Sequence, residues 1–516
     1  MTPQKIAVLS ALGMLLTSVS VYSLTPPGGR ATVDPVATTD PALQGTTVAV
    51  GGDLSSDLGR FTTGGTLMLE GRLGHPRLLK TAGETFLMLE VKNEGSQANS
   101  QAAANLSLVI DRSGSMKGSR IQNALQAAVR AVDELQDGDV VSVVAFDTRT
   151  SVIVPPTTIG PGTRSRVIAD IRGITLGGDT CISCGVDEGL SLLGQRSEGR
   201  VSRMLLLSDG DANNGVRDVP GFRSIAQRAH DRGVSITTIG VDIAYNEKIL
   251  TAIAQESNGR HYFAENDSQL TRIFEQEAEA LKTTVASGVE LAVDLAPGVE
   301  LDRVFDRTFR RAGNRVTVPL GSFSRGEVKT ALLKVRLARP ELGETAIADV
   351  GMTYRDLVES TDGRCSGKLA LEVTDDPGLA STLDGIVAGR VQRSETAQTL
   401  QQANFLFKQG RVEEARRKLD DQRATLRSEA TRAKSAAPKA RAADVGRDFD
   451  KQAAALESAS TDFDAPRRFA TPAMPVEGSG QVAAGPAAAP PAEPQNTRAG
   501  QTAVKRNESN ALELGF

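Results

Sequence analysis

Tryptophan is absent from the 516 residues and tyrosine occurs four times. That scarcity excludes an aromatic platform on which bases or sugars would stack. No charge of one sign dominates, with 59 basic against 63 acidic residues. No Lys/Arg-rich block interrupts that balance, so the chain lacks the footprint of a nucleic-acid binder. Histidine is nearly missing. His75, His230 and His261 lie far apart and share no helical spacing. This leaves neither a His-ligated zinc site nor a general base for Ser–His–Asp catalysis; His230 and His261 are expected at surface helix or strand positions. Cysteine is confined to Cys181, Cys184 and Cys365, too few for a disulfide framework. Cys181-Ile182-Ser183-Cys184 is a C-x-x-C outside any thioredoxin-like unit, and a four-Cys zinc site lacks its second half. A local loop disulfide between Cys181 and Cys184 suits an oxidising compartment. No Gly-x-x-x-x-Gly-Lys-Ser/Thr loop exists to cradle a phosphate.

At the N-terminus, Lys5 precedes a largely apolar run from Ile6 to Leu24, followed by Thr25-Pro26-Pro27-Gly28-Gly29. A charged start followed by an apolar stretch reads as an export signal. The same run is just long enough to span a bilayer. Residues 1–24 are therefore a signal peptide or a membrane anchor, with both alternatives open. The chain is expected in the periplasm or cell envelope, touching membrane only through this segment if it stays uncleaved.

Beyond a Thr/Pro/Gly-rich linker at 25–60, residues 61–103 carry strand-like runs. Buried apolar strands then alternate with amphipathic helices over 104–283, as in Leu106-Ser107-Leu108-Val109-Ile110, Val140–Phe146 and Met204–Leu207. Strands apolar on both faces, interleaved with helices, predict an α/β Rossmann-like domain with a mostly parallel central sheet. Gly233 and Gly259 are expected to close helices. A short strand at Ser151–Val154 is expected to stop at Pro155-Pro156. Residues 284–376 alternate apolar and polar positions and predict an all-β sandwich-like domain, which the 61–103 segment is free to join. A helical hairpin is expected at 377–432. Ala/Pro-rich low complexity then predicts a largely disordered tail over 433–516, apart from a helix near 447–460.

The chemistry sits at strand ends. Asp111-Arg112-Ser113-Gly114-Ser115 leaves the first parallel strand just before a helix, and in an open α/β sheet sites form at the carboxyl ends of strands. Gly177-Gly178-Asp179-Thr180 and Ser208-Asp209-Gly210-Asp211 feed the same edge. Asp111, Ser113, Ser115, Thr180 and Asp209 together offer two carboxylates and three hydroxyls, all hard oxygen ligands. Such a set suits Mg²⁺, with Mn²⁺ or Ca²⁺ as alternatives, rather than zinc or copper. Neutral hydroxyls leave the ion electrophilic toward a carboxylate from another molecule. Asp211 and Asp147 are read as solvated.

Segment 104–283 resembles the von Willebrand factor A domain with its metal-ion-dependent adhesion site. Asp111-x-Ser113-x-Ser115, Thr180 in its Gly-Gly-x-Thr loop and Asp209 in Ser-Asp-Gly match that family's motifs in order. The arrangement resembles bacterial exported proteins of this kind and inter-alpha-trypsin inhibitor heavy chains. The resemblance implies a Mg²⁺ or Mn²⁺ site completed by the acidic side chain of a protein partner, in a binding protein and not an enzyme. Asp179, inserted before Thr180, departs from the pattern and either adds charge at the metal or points to solvent. Two other readings compete. A Mg²⁺-dependent phosphoryl-transfer enzyme would want a second Asp where Ser113 stands, and a structural scaffold would leave the site vestigial.

Overall fold

The computed structural model describes residues 55–93, 103–195, 199–468 and 493–515. The apolar segment 1–24, most of the 25–60 linker and residues 469–492 lie outside them. Among the described residues no helix is long and apolar enough to cross a membrane.

Five strands come first: β1 (Ser55–Asp57), β2 (Arg60–Gly64), β3 (Met68–Leu73), β4 (Arg77–Leu79) and β5 (Glu84–Lys92). An α/β unit follows, comprising β6 (Ala104–Asp111), α1 (Ser119–Glu134), β7 (Val140–Phe146), β8 (Thr150–Thr158), α2 (Thr163–Arg172) and α3 (Ile182–Gly194). It continues through β9 (Val201–Ser208), α4 (Val219–Asp231), β10 (Ser235–Val241), α5 (Glu247–Glu256), β11 (His261–Ala264) and α6 (Asp267–Lys282). Next are β12 (Thr284–Leu295), β13 (Val299–Phe305), β14 (Arg310–Ala312), β15 (Arg315–Ser324), β16 (Val328–Leu337), β17 (Gly343–Asp356) and β18 (Asp362–Thr374). After β18 the described residues form α7 (Gly385–Lys408), α8 (Val412–Ala436), α9 (Ala442–Arg468) and α10 (Arg498–Gly515).

The central sheet has the order β11-β10-β9-β6-β7-β8, parallel except for the antiparallel edge strand β8. Every residue of β6, β7, β9 and β10 is buried, as continuous apolar runs require when helices cover both faces. One face packs on α1, α2 and α6 through Ala128, Ile171 and Phe274. The other packs on α3, α4 and α5 through Val186, Phe222 and Ile253. Asn266 caps α6 by accepting the Gln269 N–H at 3.0 Å.

The first five strands and the later seven interleave into two further sheets, β1-β2-β3-β5-β16-β13 and β14-β15-β12-β17-β18-β4. Their inner faces share one core, in which Phe61, Leu87 and Leu333 meet Leu291, Val350 and Leu371. Phe61 is wedged between strands at Gly71 and Gly367, where an added Cβ would lie 2.1 Å from its ring on either side. The α/β unit is thus inserted into a β-sandwich, the mixed architecture that the alternating runs on either side predict.

Four expectations need correction. The strand after β7 does not stop at the prolines: β8 runs through Pro155 and Pro156 to Thr158. Proline is tolerated because this is the sheet edge, where no outer neighbour needs its missing N–H. Gly259 does not supply the left-handed residue after α5; Asn258 does, at φ 56°. Gly259 is needed for closeness instead, since a Cβ there would stand 2.0 Å from the Ile236 carbonyl oxygen. The helical hairpin is larger than 377–432, and the tail holds more helix than the one expected near 447–460, which lies within α9; α10 is a second. In α9, Val445, Phe449, Leu456, Ala459 and Phe463 recur at helical spacing and join the core of α7 and α8. The Phe407 and Phe463 rings stack at 4.1 Å. From α10, Ala503, Val504, Ala511 and Leu514 complete that core, which also takes in Met88, Phe305 and Leu332 from the outer face of the sandwich. Alanine, which reads as low complexity, is the best helix former where a partner face is at hand.

Candidate metal centre

Three loops at the carboxyl edge of the parallel sheet bring the five residues singled out in the sequence to one place. Asp111 ends β6 with no exposed surface. Its Oδ1 accepts the Ser113 N–H at 2.9 Å, and its Oδ2 accepts the Ser208 hydroxyl at 2.6 Å. The Ser113 and Ser115 hydroxyls lie 3.0 Å apart, and Ser115 Oγ donates to Asp209 Oδ1 at 2.6 Å. Asp209, just past β9, is also fully buried. Thr180 stands at the mouth of α3. Its hydroxyl reaches the same spot, because a Cβ added to Gly210 would lie 3.3 Å from Thr180 Oγ1 and 3.5 Å from Ser115 Oγ.

Backbone hydrogen bonds hold the loops in register. The Gly114 N–H donates to the Gly178 carbonyl at 3.0 Å and the Gly177 N–H to the Arg112 carbonyl at 2.7 Å. The Thr180 N–H donates to Asn213 Oδ1 at 2.8 Å, while the Asn213 and Asn214 N–H groups both return to the Thr180 carbonyl at 3.2 Å. Gly177 lets the loop pass over Asp147, whose Oδ2 would lie 1.8 Å from an added Cβ. Asp147 is therefore not solvated: it is buried and paired with Arg112 at 2.9 Å. Asp211 is exposed and accepts Asn246 Nδ2 at 2.8 Å. Asp179 is exposed as well, with its N–H donated to Thr148 Oγ1 at 2.9 Å. Cys181 and Cys184 are joined as a disulfide directly after Thr180. Cys365 is a half-buried thiol, pushed up to about 12 by burial.

The electrostatics are those of a carboxylate pair short of positive charge. Burial pushes Asp111 up to about 6, against the pull of its hydrogen bonds from Ser113 and Ser208, and the neighbouring Asp209 charge adds to the rise. Burial also raises Asp209, opposed by Ser115 and Arg120. Among the described residues no three His, Cys, Asp or Glu side chains cluster. A cation here would therefore be held by two carboxylates supplemented with hydroxyls, and positions left over would go to water or to a visiting oxygen. The donor set fits a hard divalent cation.

Sequence reasoning missed four participants. Ser208 satisfies Asp111. Arg120 donates to Asp209 Oδ2 at 3.0 Å and to the Ser115 carbonyl at 2.6 Å, and it also pairs with Asp242. Asp242 follows β10 at φ 61°, and Arg498 of α10 donates to it at 2.8 Å. Burial alone would raise Asp242, but the Ile243 N–H, Arg120 and Arg498 outweigh it and hold its carboxyl below the usual range. One signal for Arg120 was in the chain: a cation in the first turn of a helix opposes the helix dipole and needs a carboxylate to hold it there. His261 was expected at the surface but is 9% exposed, bonded to Thr238 and Tyr245.

Residues 105–276 match the model of the von Willebrand factor type A domain. The uncharacterized protein sll0103 of Synechocystis sp. is 26% identical over 360 residues, 68% of this chain and 82% of its own length. The uncharacterized protein YfbK of Escherichia coli is also 26% identical, but the alignment covers 41% of this chain and 37% of that protein. For human inter-alpha-trypsin inhibitor heavy chain H1 the figures are 25% identity, 37% of this chain and 21% of that one. This chain therefore spans well under half of those two relatives. Among solved structures, a von Willebrand factor type A protein from Catenulispora acidiphila superposes with a TM-score of 0.60 at 16% identity, covering 77% of this chain and 90% of that one. The ArnB paralog VWA2 from Sulfolobus acidocaldarius gives 0.52 at 19% identity, covering 76% and 98%.

Proposed function

From the premise that residues 105–276 are a von Willebrand factor type A domain, we propose that this protein binds a protein partner through a divalent cation. Asp111, Ser113, Ser115, Thr180 and Asp209 hold Mg²⁺, with Mn²⁺ or Ca²⁺ as substitutes, and an acidic side chain of the partner completes the coordination. The observation that carries this reading is the pair of fully buried carboxylates, Asp111 bonded only to neutral donors and Asp209 bonded to Ser115 Oγ and to the one guanidinium at the site, Arg120. Two carboxylates in a low-dielectric site leave a deficit of positive charge that a cation fills. Ser115 is exposed, so the site opens to solvent on the side a partner would approach.

Binding, not catalysis, is the activity that this set supports. It needs no general base, and Ser113 stands where a phosphoryl-transfer aspartate would be. A vestigial scaffold would have no reason to keep two desolvated carboxylates and their loop hydrogen bonds together. The apolar run at residues 6–24 supports work in the cell envelope, with cleavage or anchoring both compatible with it.

The test is calorimetric titration of Mg²⁺ and Mn²⁺ into the whole chain beside Asp111→Ala and Asp209→Ala. The expected result is saturable binding by the parent and a loss of more than about tenfold in each variant, since each removes a charged ligand. Equal heats from all three proteins would sink the metal reading. The same pair then serves as bait and control, and partner capture that survives Asp111→Ala would place recognition elsewhere.

A further inference from the structure

Cations of the helical bundle reach the carboxyl edge of the α/β sheet, at the segments that follow β10 and β11. Arg498, the first residue of α10, donates to Asp242 at 2.8 Å. Lys505 of α10 and Lys408 of α7 both pair with Glu247, the first residue of α5. Arg506 holds Glu265, just past β11, at 2.9 Å and Asp462 of α9 at 2.8 Å. The packing of α10 within the bundle is of another kind. Its Ala503, Val504, Ala511 and Leu514 are buried in one apolar cluster with Phe407 and Phe463, and that cluster takes no residue from the α/β unit. Apolar burial therefore joins α10 to α7, α8 and α9, while ion pairs tie it to the unit that carries the metal centre.

One of these ties continues into the metal centre itself. Asp242 accepts Arg498 on Oδ1 and Arg120 on Oδ2. Arg120 in turn donates to Asp209 Oδ2 at 3.0 Å and to the Ser115 carbonyl at 2.6 Å. Asp242 thus divides its charge between two guanidiniums, and Arg120 divides its own between two carboxylates. Members of one ion-pair network are energetically coupled. Arg498 weakens the hold of Asp242 on Arg120 and so leaves Arg120 more firmly on Asp209, where it opposes an incoming cation. Without Arg498 both effects reverse: one positive charge leaves the neighbourhood, and Asp242 draws Arg120 away from the ligand.

We propose, resting on the metal reading above, that the amino-terminal end of α10 is an autoinhibitory latch on the metal centre. Docked, Arg498 keeps Arg120 on Asp209 and holds cation affinity down; released, it lets that affinity rise. The coupling is reciprocal, so a bound cation loosens this end of α10 by the same factor. Release is cheap at Arg498, whose side chain is 71% exposed, because an ion pair so open to solvent is weak and screened by salt.

The experiment titrates Mg²⁺ by calorimetry, at low salt, into the full chain and into Arg498→Gln, Arg506→Gln, Arg120→Gln and the double variant Arg498→Gln/Arg120→Gln. Arg498→Gln is expected to bind about two- to fivefold more tightly than the parent, the range of an exposed ion pair. Arg506→Gln removes the same charge from the same helix without touching Asp242, and is expected to change affinity by less than about twofold. In the Arg120→Gln background the gain from Arg498→Gln should shrink, because the relay to Asp209 is cut. Hydrogen exchange in the first turn of α10 should be faster in the parent with saturating Mg²⁺ than in chelator. Equal affinity in the parent and Arg498→Gln, or an equal gain from Arg506→Gln, overturns the latch and leaves the metal reading standing. Absence of Mg²⁺ binding in the parent and in every variant overturns both.

Discussion

Asp111 and Asp209 sit in one site under different compensation. Asp111 has only neutral donors, the Ser113 N–H and the Ser208 hydroxyl, whereas Asp209 also has the Arg120 guanidinium. Arg120 competes with any cation for Asp209. In the proposed reading, Arg120→Gln should tighten Mg²⁺ binding by roughly three- to tenfold, since a like charge near the ion is removed; unchanged affinity by calorimetry would mean that Arg120 withdraws when metal enters. A second residue-scale prediction concerns His261. Burial, with some help from Lys505, lowers its folded-state value to about 3 from an ordinary 6.5. The folded state therefore binds the proton later than the unfolded chain does. Its contribution to stability is complete above 6.5 and is lost as the pH falls from there toward 3, on the order of a few kcal/mol in all. Asp111, raised to about 6, works in the opposite direction. The parent must therefore be compared with His261→Gln, in chelator. Urea midpoints taken at about pH 7 and about pH 4.5 should fall further for the parent than for the variant. Parallel falls would mean that His261 does not carry the acid sensitivity.

At the scale of the element, α3 matters most because it starts right after Thr180. It lies so close to the sheet that Gly185 and Gly189 are required. An added Cβ would stand 2.7 Å from Phe146 at the first and 2.8 Å from Val109 and Met204 at the second. Gly189→Val should cost about 1–3 kcal/mol by overpacking, read from the urea midpoint. It should also weaken metal binding, because α3 cannot move outward without taking Thr180 along. The Cys181–Cys184 disulfide clasps the first turn of the same helix. If it stiffens the ligand loop, the double Cys→Ser variant loses metal affinity; unchanged affinity would assign the disulfide to stability alone. Short-range patterns reveal the alternation of buried strands with amphipathic helices over 104–283, and α1 to α6 fall within it. The edge strand β8 was cut short because Pro155-Pro156 reads as a stop until the strand is known to lie at the edge, which is a fact about its neighbours.

Over the whole molecule, α10 is the part whose role was least visible. It covers the core of α7, α8 and α9, and Lys505 reaches the Tyr245 carbonyl at 2.7 Å and pairs with Glu247. Arg506 pairs with Glu265 at 2.9 Å, and Arg498 pairs with Asp242 beside the metal centre. A chain ending before Arg498 should show a lower thermal midpoint by several degrees, since it bares apolar surface and leaves Glu247 with one cation fewer. A midpoint equal to the parent's would make α10 a passenger.

What the sequence determined alone was everything that depends on neighbours within a dozen residues. That covers the parallel strands, their helices, and the Asp-x-Ser-x-Ser, Thr and Asp motifs, because strand ends in an α/β sheet share one edge whatever surrounds them. Only the tertiary structure decided what depends on distant partners. Arg120 and Arg498 converge on Asp242 from positions 378 residues apart, which no local pattern encodes. The tail becomes helix over Ala442–Arg468 and Arg498–Gly515 because apolar faces on α7 and α8 are there to receive it. Its composition alone cannot bury enough surface to offset the entropy of ordering, so the sequence reads as disordered until those faces are in place.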